Sequence, residues 1–347
     1  MSLALRPVPP FDLSRSLSFL RGFAPTQGEQ LVTATSLTKA ILCGGETVAF
    51  RVRQKGDRER PTLDVDLLSS QALGAGRWRD VLGRVRAMLS CDEGLAPFYA
   101  MAAADRAMAP LVGRLRGLHH VRFPSAFEAA CWGVINQRIQ LPVARAMKDA
   151  LVRRAGSRFD VDGVRHWAFP EPRTVESLGE EELVRLLPGG RRAKAVLSVA
   201  RAFASVDEAS LQEAPIAEVR EWLRGIHGVG PFTSGFVLYR ALGRFDGTTM
   251  VSPKLVSAAE MVYGRSMSGR DVARLAGEYG TWGGHWMLYL WSSGFVGDTE
   301  SRGCGPIARG APTEPPSCAR SARAAPRASR PAALPSSARA TSSRPPG

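Results

Sequence analysis

The sequence predicts an α+β protein in three consecutive parts, and three observations predict this order. Runs that alternate apolar and polar residues occur in residues 1–90, which indicates half-buried strands in an N-terminal α/β domain. Residues 91–298 show helical periodicity with short Gly- and Pro-containing breakers, which indicates an all-α core. Residues 299–347 consist largely of Arg, Ala, Pro and Ser, a composition typical of a disordered tail.

The first part contains one predicted helix and two predicted strands. Residues 11–20 (FDLSRSLSFL) have the spacing of a short amphipathic helix. Residues 48–52 and 63–67 each place an apolar side chain at every second position, on either side of a charged turn at 55–61. We therefore expect two antiparallel strands joined by this turn.

The second part is predicted to be almost entirely helical. A first core helix follows Ser125, a residue type that caps helix N-termini. One face of this helix is predicted to carry Phe127, Cys131, Val134 and Arg138. Further helices are predicted at 142–154, 179–187, 191–204, 215–225, 232–243, 254–263 and 270–279.

The charge of the chain indicates a polyanionic partner. The formal net charge is +14 and the sequence pI is about 10.4. Nucleic acid is the usual partner of so basic a protein, with a membrane surface as the alternative. No stretch has the length of a spanning helix and the N-terminus lacks a signal-peptide core, so we expect a soluble, cytoplasmic protein without a membrane partner.

Half of this charge lies in the tail. Residues 301–347 contain eight arginines and one acid, Glu314, and so contribute +7. With almost no large apolar residue, this segment cannot bury enough surface to offset its ordering entropy, and we expect it to be disordered. Two interpretations stay open: a nonspecific attraction to DNA, or a solvated segment without function.

The cysteines give no indication of a metal or a disulfide framework. There are five, an odd number: Cys43, Cys91, Cys131, Cys304 and Cys318. No pair has C-x-x-C spacing, so we expect neither a zinc site nor an iron–sulfur cluster.

The most specific motif is a turn between two apolar helices, within LRGIHGVGPFTSGFVLYRAL at 223–242. Its glycines permit positive φ and a close approach of the backbone to a ligand. Pro231 then suits the first turn of a new helix, whose N–H groups form a ready anion site. An ordinary interhelical turn is the alternative, but the basic charge favours a helix-hairpin-helix that binds DNA phosphate. Its contact residues are predicted to be Ile226, His227, Gly228, Val229, Gly230 and Thr233.

Six blocks in this order resemble the helix-hairpin-helix DNA glycosylases, in particular the inducible 3-methyladenine type (type II) of bacteria. The blocks are PPFDLSRSLSFL, FEAACWGVINQRI, FPEPRTVESL, GGRRAKAVLSVA, HGVGPFTSGFVLYRALGRFD and WGGHWMLYLW. The resemblance spans about residues 5–297. It implies an N-terminal domain like half of a TATA-binding protein (1–90), then two helical subdomains with a cleft between them. The hairpin subdomain is 121–244, and 91–120 with 245–298 forms the other.

The resemblance also implies roles for individual residues. Gln137 and Arg138 fall in a loop that enters the minor groove and fills the gap left by a flipped base. Arg138 stands where the family usually has an apolar residue, and a solvated arginine at a helix end is the alternative. Phe232 and Trp282 match aromatic positions of the base pocket, where a ring stacks on an electron-poor alkylated base. The alternative for both rings is a place in the hydrophobic core.

One position departs from the family. These enzymes carry an aspartate beyond the hairpin that stabilises the sugar cation formed as the glycosidic bond breaks. Counting forward from Gly228, Ser252 occupies that place, and Pro253 after it indicates that Ser252 caps a helix. Asp246 is a less favoured substitute. No lysine occupies the position that bifunctional members use for a Schiff base.

Two functions therefore remain in competition. The first is a monofunctional DNA glycosylase of base-excision repair that hydrolyses the bond to alkylated purines such as 3-methyladenine and 7-methylguanine. The second is a catalytically impaired relative that binds damaged or kinked DNA. Both imply damaged double-stranded DNA as the partner, a location at the bacterial nucleoid, and a monomer as the family default. No cofactor is expected other than a structural monovalent cation at the hairpin.

Overall fold

The computed structural model describes residues 2–68, 75–245, 247 and 250–295. The predicted tail and Asp246 lie outside these residues. All of the described residues belong to one compact unit, Met1–Gly303. Within the described ranges, no helix combines the length and apolar character needed to cross a bilayer. In that same part of the chain, no group of three or more His, Cys, Asp or Glu residues is placed to hold a metal ion.

The N-terminal part is a five-stranded antiparallel sheet in the order β1-β5-β4-β3-β2. Its strands are β1 (Ser2–Leu5), β2 (Gln30–Val32), β3 (Ser36–Cys43), β4 (Glu46–Lys55) and β5 (Thr62–Leu67). The two predicted strands are β4 and β5, and their register pairs Val52 with Val65. The predicted helix is α1 (Leu13–Gly22), capped by Asp12, and it buries Leu13 and Leu17 against the apolar face of the sheet.

The other face of the sheet is covered by a second hairpin that the sequence did not predict. This hairpin consists of β6 (Ser157–Val161) and β7 (Val164–Ala168). Ala40 and Ala49 of the sheet pack against Val161 and Ala168 of the hairpin. Because both of its faces are covered, β3 is almost continuously buried and shows no alternation, so its sequence carried no clear strand signal.

The described residues form fifteen α-helices, which include all of those predicted. After α1 they are α2 (Ala75–Met88), α3 (Ala96–Ala104), α4 (Met108–Arg114), α5 (Ala126–Ile135), α6 (Leu141–Ala155), α7 (Pro172–Ser177), α8 (Gly179–Leu186), α9 (Gly190–Ala204), α10 (Glu208–Glu213), α11 (Ile216–Gly225), α12 (Pro231–Arg240), α13 (Pro253–Tyr263), α14 (Gly269–Glu278) and α15 (Gly283–Ser292). The predicted cap is confirmed, since the hydroxyl of Ser125 accepts from the N–H of Glu128. One prediction is wrong: α5 ends at Ile135, and Arg138 lies beyond it with φ +54.

Two large hydrophobic clusters fill the interior. The sheet core unites the inner face of the sheet with α1 to α4 and α13 to α15. The hairpin core is built from residues between Phe123 and Leu242. Phe23 and Phe236 are partly buried and pack against both clusters, so they mark the boundary between the two bodies of helices.

A buried ionic cluster fastens the first helices of the hairpin core to the N-terminal part. The ammonium of Lys148 lies 2.6 Å from Glu29, 2.7 Å from Glu128 and 2.8 Å from the carbonyl oxygen of Pro25. Burial alone would raise the pKa of Glu128, but the ammonium groups of Lys148 and Lys39 outweigh it and lower that pKa. Burial likewise opposes the charge of Lys148, yet the two carboxylates raise its pKa. Lys148 and Glu128 therefore form a charged pair, whereas burial raises the pKa of Glu29 despite the nearby ammonium of Lys148.

Candidate nucleic-acid interface and base-binding site

The turn between α11 and α12 is anchored by two buried apolar side chains. Ile226 and Val229 belong to the hairpin core, and the N–H of Val229 donates to the carbonyl of Ile226 at 3.0 Å. His227 and Gly228, between them, are exposed. Gly228 has φ +89, and a Cβ at this position would lie 2.4 Å from the Cβ of Ala195. Both facts require glycine here.

The sequence indicates that both glycines of the turn permit positive φ, but only Gly228 uses it. Gly230 is the residue before α12 and has φ −91 and ψ −176, an extended backbone open to any residue. A Cβ at Gly230 would have no atom within 4 Å, so its missing side chain matters only for a ligand that approaches from outside. No side chain caps α12, and Pro231 stands in its first turn, so the following N–H groups are open to an anion.

The hairpin forms one wall of an open cavity of about 870 Å³, here called the hairpin groove. The opposite wall comes from α5 and the loop after it, from Trp132 to Arg138. Arg138 and Arg224 line the groove, and no acidic residue does. A groove with arginines and a helix N-terminus on its walls attracts phosphate.

In the loop 136–140, the side chain of Gln137 is hydrogen-bonded to the hairpin, whereas Arg138 is exposed. The amide Nε2 of Gln137 donates to the carbonyl of Gly228 at 2.8 Å and to the hydroxyl of Thr233 at 3.2 Å. Thr233 is itself buried, so its side chain supports the groove from behind. Arg138 is exposed, and the structure gives it the left-handed φ described above.

The two aromatic residues predicted for a base pocket lie on different elements, Phe232 on α12 and Trp282 just before α15. Phe232 lines the hairpin groove with 52% of its surface exposed, beside the half-buried Phe236. Trp282 is half-buried at the start of α15, where its ring lies 5.0 Å from His285 and 6.2 Å from Phe98. Neither Trp282 nor Ser252 is among the residues that line the hairpin groove.

Ser252 is the N-cap of α13, as the sequence predicted. Its hydroxyl accepts from the N–H of Leu255 at 3.2 Å, and Pro253 occupies the first turn. Glu260, two turns further along, is engaged elsewhere, because it accepts from the N–H of Met267 at 3.0 Å. Neither Ser252 nor Glu260 therefore places a negative charge at the start of α13.

A buried arginine at the boundary of the two cores was not anticipated from the sequence. The guanidinium of Arg240 lies beside the stacked rings of Phe19 and Phe23, 4.9 and 4.5 Å from their centroids. Its three nitrogens have no hydrogen-bond partner, and burial lowers its pKa to about 10. The sequence could have indicated a buried arginine, because Arg240 is a charged residue within the apolar stretch VLYRAL. Its cation–π contacts hold α12 to α1 beside the boundary residue Phe23.

Next to this arginine, a group of buried rings connects α12 with α15. The imidazole of His120 stacks on Tyr239 at 4.1 Å, with 6° between the planes. His285 packs edge-on against Tyr239, and its Nε2 lies 3.1 Å from the carboxylate of Glu93. Because His285 also contacts Trp282, the position of that ring depends on this buried group.

Known proteins resemble this chain in sequence and in fold. No family model matches the chain. A DNA-3-methyladenine glycosylase of Bacillus subtilis is 24% identical over 221 residues, which are 62% of this chain and 73% of that protein. The 3-methyladenine DNA glycosylase of Archaeoglobus fulgidus superposes with a TM-score of 0.70 at 21% identity, covering 83% of this chain and 97% of that one. An 8-oxoguanine glycosylase/lyase of Clostridium acetobutylicum, in complex with double-stranded DNA, gives 0.62 at 14% identity, with 84% and 94% covered.

The chain has the fold of the helix-hairpin-helix DNA glycosylases.

The predicted resemblance to this superfamily is thereby confirmed, together with a small N-terminal antiparallel sheet followed by helices. The glycosylase fold brings the hairpin and the loop 136–140 to one groove, although almost a hundred residues separate them in sequence. The roles of Gln137, Arg138, Phe232, Trp282 and Ser252 remain predictions at this level of identity.

Proposed function

We propose that this protein is a DNA glycosylase of base-excision repair that flips an alkylated purine out of duplex DNA and hydrolyses its N-glycosidic bond. The observation that carries the proposal is the hairpin groove, where an uncapped helix N-terminus and Arg138 face one acid-free surface. The similar proteins from Bacillus subtilis and Archaeoglobus fulgidus are 3-methyladenine DNA glycosylases, which supports the same chemistry for this protein.

Binding of the duplex is assigned to the hairpin. The open N–H groups at the start of α12 hydrogen-bond a backbone phosphate, and Gly230 leaves room for that phosphate to approach. Such contacts position the protein on DNA of any sequence. The carbonyl groups of Ile226 and Gly228 would be the oxygen ligands of a monovalent cation bound at the hairpin, because each keeps one lone pair beyond its internal hydrogen bond.

Recognition of the lesion is assigned to aromatic rings. Arg138 fills the space that a flipped nucleotide leaves in the helix. Phe232 and Trp282 supply the faces on which the flipped base stacks. A purine alkylated at N3 or N7 carries a positive charge, which adds a cation–π contribution to stacking.

The hydrolysis step works without a carboxylate at the start of α13. Water adds to the sugar C1′ as the bond to the base nitrogen breaks, the electron pair of that bond leaves with the base, and the surplus proton of the added water passes to solvent. A cationic base is neutralised by this pair and needs no proton to depart. Loss of one preorganised charge costs roughly 10²–10³ in rate, which slows such a reaction without abolishing it.

The second candidate is a protein that binds damaged DNA without cutting it. The neutral cap at Ser252 favours this alternative, because the hydroxyl retains the helix cap but not the charge. Release of free base from duplexes that contain 7-methylguanine or 3-methyladenine separates the two functions. Tight and lesion-selective binding without release would exclude the enzyme and leave the binding protein.

A further inference from the structure

The loop that carries Arg138 is fastened at two independent points, and the first is Arg192 on α9. The guanidinium of Arg192 donates to three backbone carbonyls: Ile135 at 3.0 Å, Gln137 at 3.2 Å and Pro188 at 3.1 Å. Arg192 therefore connects the C-terminus of α5 and the start of the loop to the turn before α9. The half-buried Arg192 uses all three of its nitrogens inside the protein.

The second point is the side chain of Gln137. Its two bonds, to the carbonyl of Gly228 and the hydroxyl of Thr233, connect the loop to the hairpin turn and to α12. α5 and α12 also approach closely here, because a Cβ at Gly133 would lie 2.6 Å from the methyl group of Thr233. The loop is thus bonded to the hairpin by the side chain of Gln137, and α5 packs closely on α12 beside these bonds.

These two attachment points account for the left-handed φ of Arg138. A left-handed φ is unfavourable for a residue with a side chain, and it persists where the surroundings fix it from both sides. Gln137 immediately before Arg138 is held through its carbonyl oxygen and its amide. Arg138 is consequently presented outward from a fixed base.

We propose that Arg192 is a positioning residue for insertion of Arg138 into DNA, and that Gln137 ties this insertion to phosphate binding at the hairpin. Gln137 is then a connector rather than a second inserting residue. The proposal rests on the proposed function for its DNA step. The anchoring step concerns the protein alone, so the two are tested separately.

The anchoring is tested by trypsin cleavage after Arg138, followed by mass spectrometry of the native-state digest. Arg192→Ala should accelerate cleavage at this bond at least tenfold, because the loop loses three hydrogen bonds. Arg201→Ala is the matched control, since Arg201 lies on the same helix, is 63% exposed and pairs only loosely with Glu176 at 3.8 Å. Equal cleavage rates in the native protein and Arg192→Ala overturn the proposal.

The DNA step is tested with a duplex that carries 2-aminopurine beside an abasic-site analogue, which reports insertion as a rise in fluorescence. Arg192→Ala should keep its affinity for undamaged duplex within about twofold and lose about tenfold of its preference for the abasic duplex. Arg192→Lys should behave like Arg192→Ala, because one ammonium cannot span three carbonyls. If lysine restores the preference, or if Arg192→Ala weakens both duplexes equally, Arg192 is a phosphate contact and the proposal fails.

The connector is tested in the same assay with two glutamines of one loop. Gln137→Ala should lower both the affinity for all duplexes and the fluorescence rise, whereas Gln140→Ala, whose side chain makes no capping bond, should change neither. A selective loss of the fluorescence rise in Gln137→Ala, with normal affinity, contradicts the tie to the hairpin. If the native protein binds the undamaged and the abasic duplex equally well, base flipping as set out in the proposed function is contradicted. The trypsin cleavage rates then still decide whether Arg192 anchors the loop.

Discussion

The hydroxyl of Ser252 accepts a hydrogen bond from the backbone N–H of Leu255 at 3.2 Å and closes the N-terminus of α13. An aspartate makes the same bond with its carboxylate, and Ser and Asp cap helices about equally well. The substitution of one for the other therefore separates the structural role of this position from its electrostatic role.

Ser252→Asp is expected to raise the rate of base release about 10²–10³-fold, because it restores a charge beside the developing sugar cation. The measurement is single-turnover release of 7-methylguanine from a duplex. Ser257→Asp is the matched control, since Ser257 is exposed on the same helix and adds the same charge without facing its N-terminus. An equal acceleration by both variants contradicts the assignment of the catalytic position.

The same assay tests Asp246, which lies outside the described residues. Asp246→Asn is expected to leave release within about twofold of the native rate. Release that is lost in Asp246→Asn and unchanged in Ser252→Asp would move the catalytic position to Asp246.

The two glycines of the hairpin should give different results. Gly230→Ala is expected to fold with unchanged stability, since the backbone is extended and no atom lies within 4 Å of the added Cβ. It should nevertheless weaken binding to undamaged and damaged duplexes equally, because the added methyl group meets the phosphate. Fluorescence anisotropy with both duplexes measures this, and a loss confined to damaged DNA counts against phosphate binding at the hairpin.

Gly228→Ala is expected to lower stability as well as affinity. Its positive φ and the 2.4 Å approach to Ala195 together cost roughly 1–3 kcal/mol. The free energy of unfolding from urea titration measures the first effect. A Gly228→Ala protein as stable as Gly230→Ala contradicts the packing of the turn described above.

Lys148→Met is expected to destabilise the protein by about 3–5 kcal/mol, because it removes the nearest ammonium from the buried Glu29 and Glu128 and leaves only Lys39, 3.6 Å from Glu29. Lys194→Met is the control: Lys194 is 59% exposed, lies 3.6 Å from Glu180, and should contribute less than about 1 kcal/mol. Urea unfolding at neutral pH compares the two. Equal and small losses contradict a charged pair of Lys148 and Glu128.

His120 should make the protein less stable in acid. Burial, followed by the nearby Arg240 and Arg122, lowers the pKa of His120 well below its usual 6.5. As the pH falls below 6.5, the unfolded chain therefore binds a proton that the folded protein excludes, and stability declines by up to about 1.4 kcal/mol per pH unit. Urea unfolding between pH 7.5 and 5 measures this slope.

His120→Phe keeps a ring against Tyr239 and removes the titration, so its slope should be shallower. A native-like slope in His120→Phe excludes His120 as the source of the acid sensitivity.

Local patterns predicted most helices but fewer than half of the strands. α5 was recognisable from its cap at Ser125, and α12 from Pro231 after the turn, because caps and turns are decided by neighbours in sequence. β3 was missed because the hairpin of β6 and β7 covers its second face, and this contact joins segments more than a hundred residues apart. Arg138 was placed on α5 because nothing local shows that the segment from Ile135 onward is bonded to Arg192 and to the hairpin.

By itself the sequence determined the resemblance to helix-hairpin-helix glycosylases, the place of the hairpin, and the helix cap at Ser252. Each of these depends on residue types at fixed spacings. Only the tertiary structure decided that Gln137 is bonded to the hairpin, that Phe232 lines the hairpin groove while Trp282 packs on His285, and that Arg240 lies beside two stacked rings without a hydrogen-bond partner. These relationships arise where distant segments pack together, and the energies of such contacts are set by burial and geometry, which no run of neighbouring residues records.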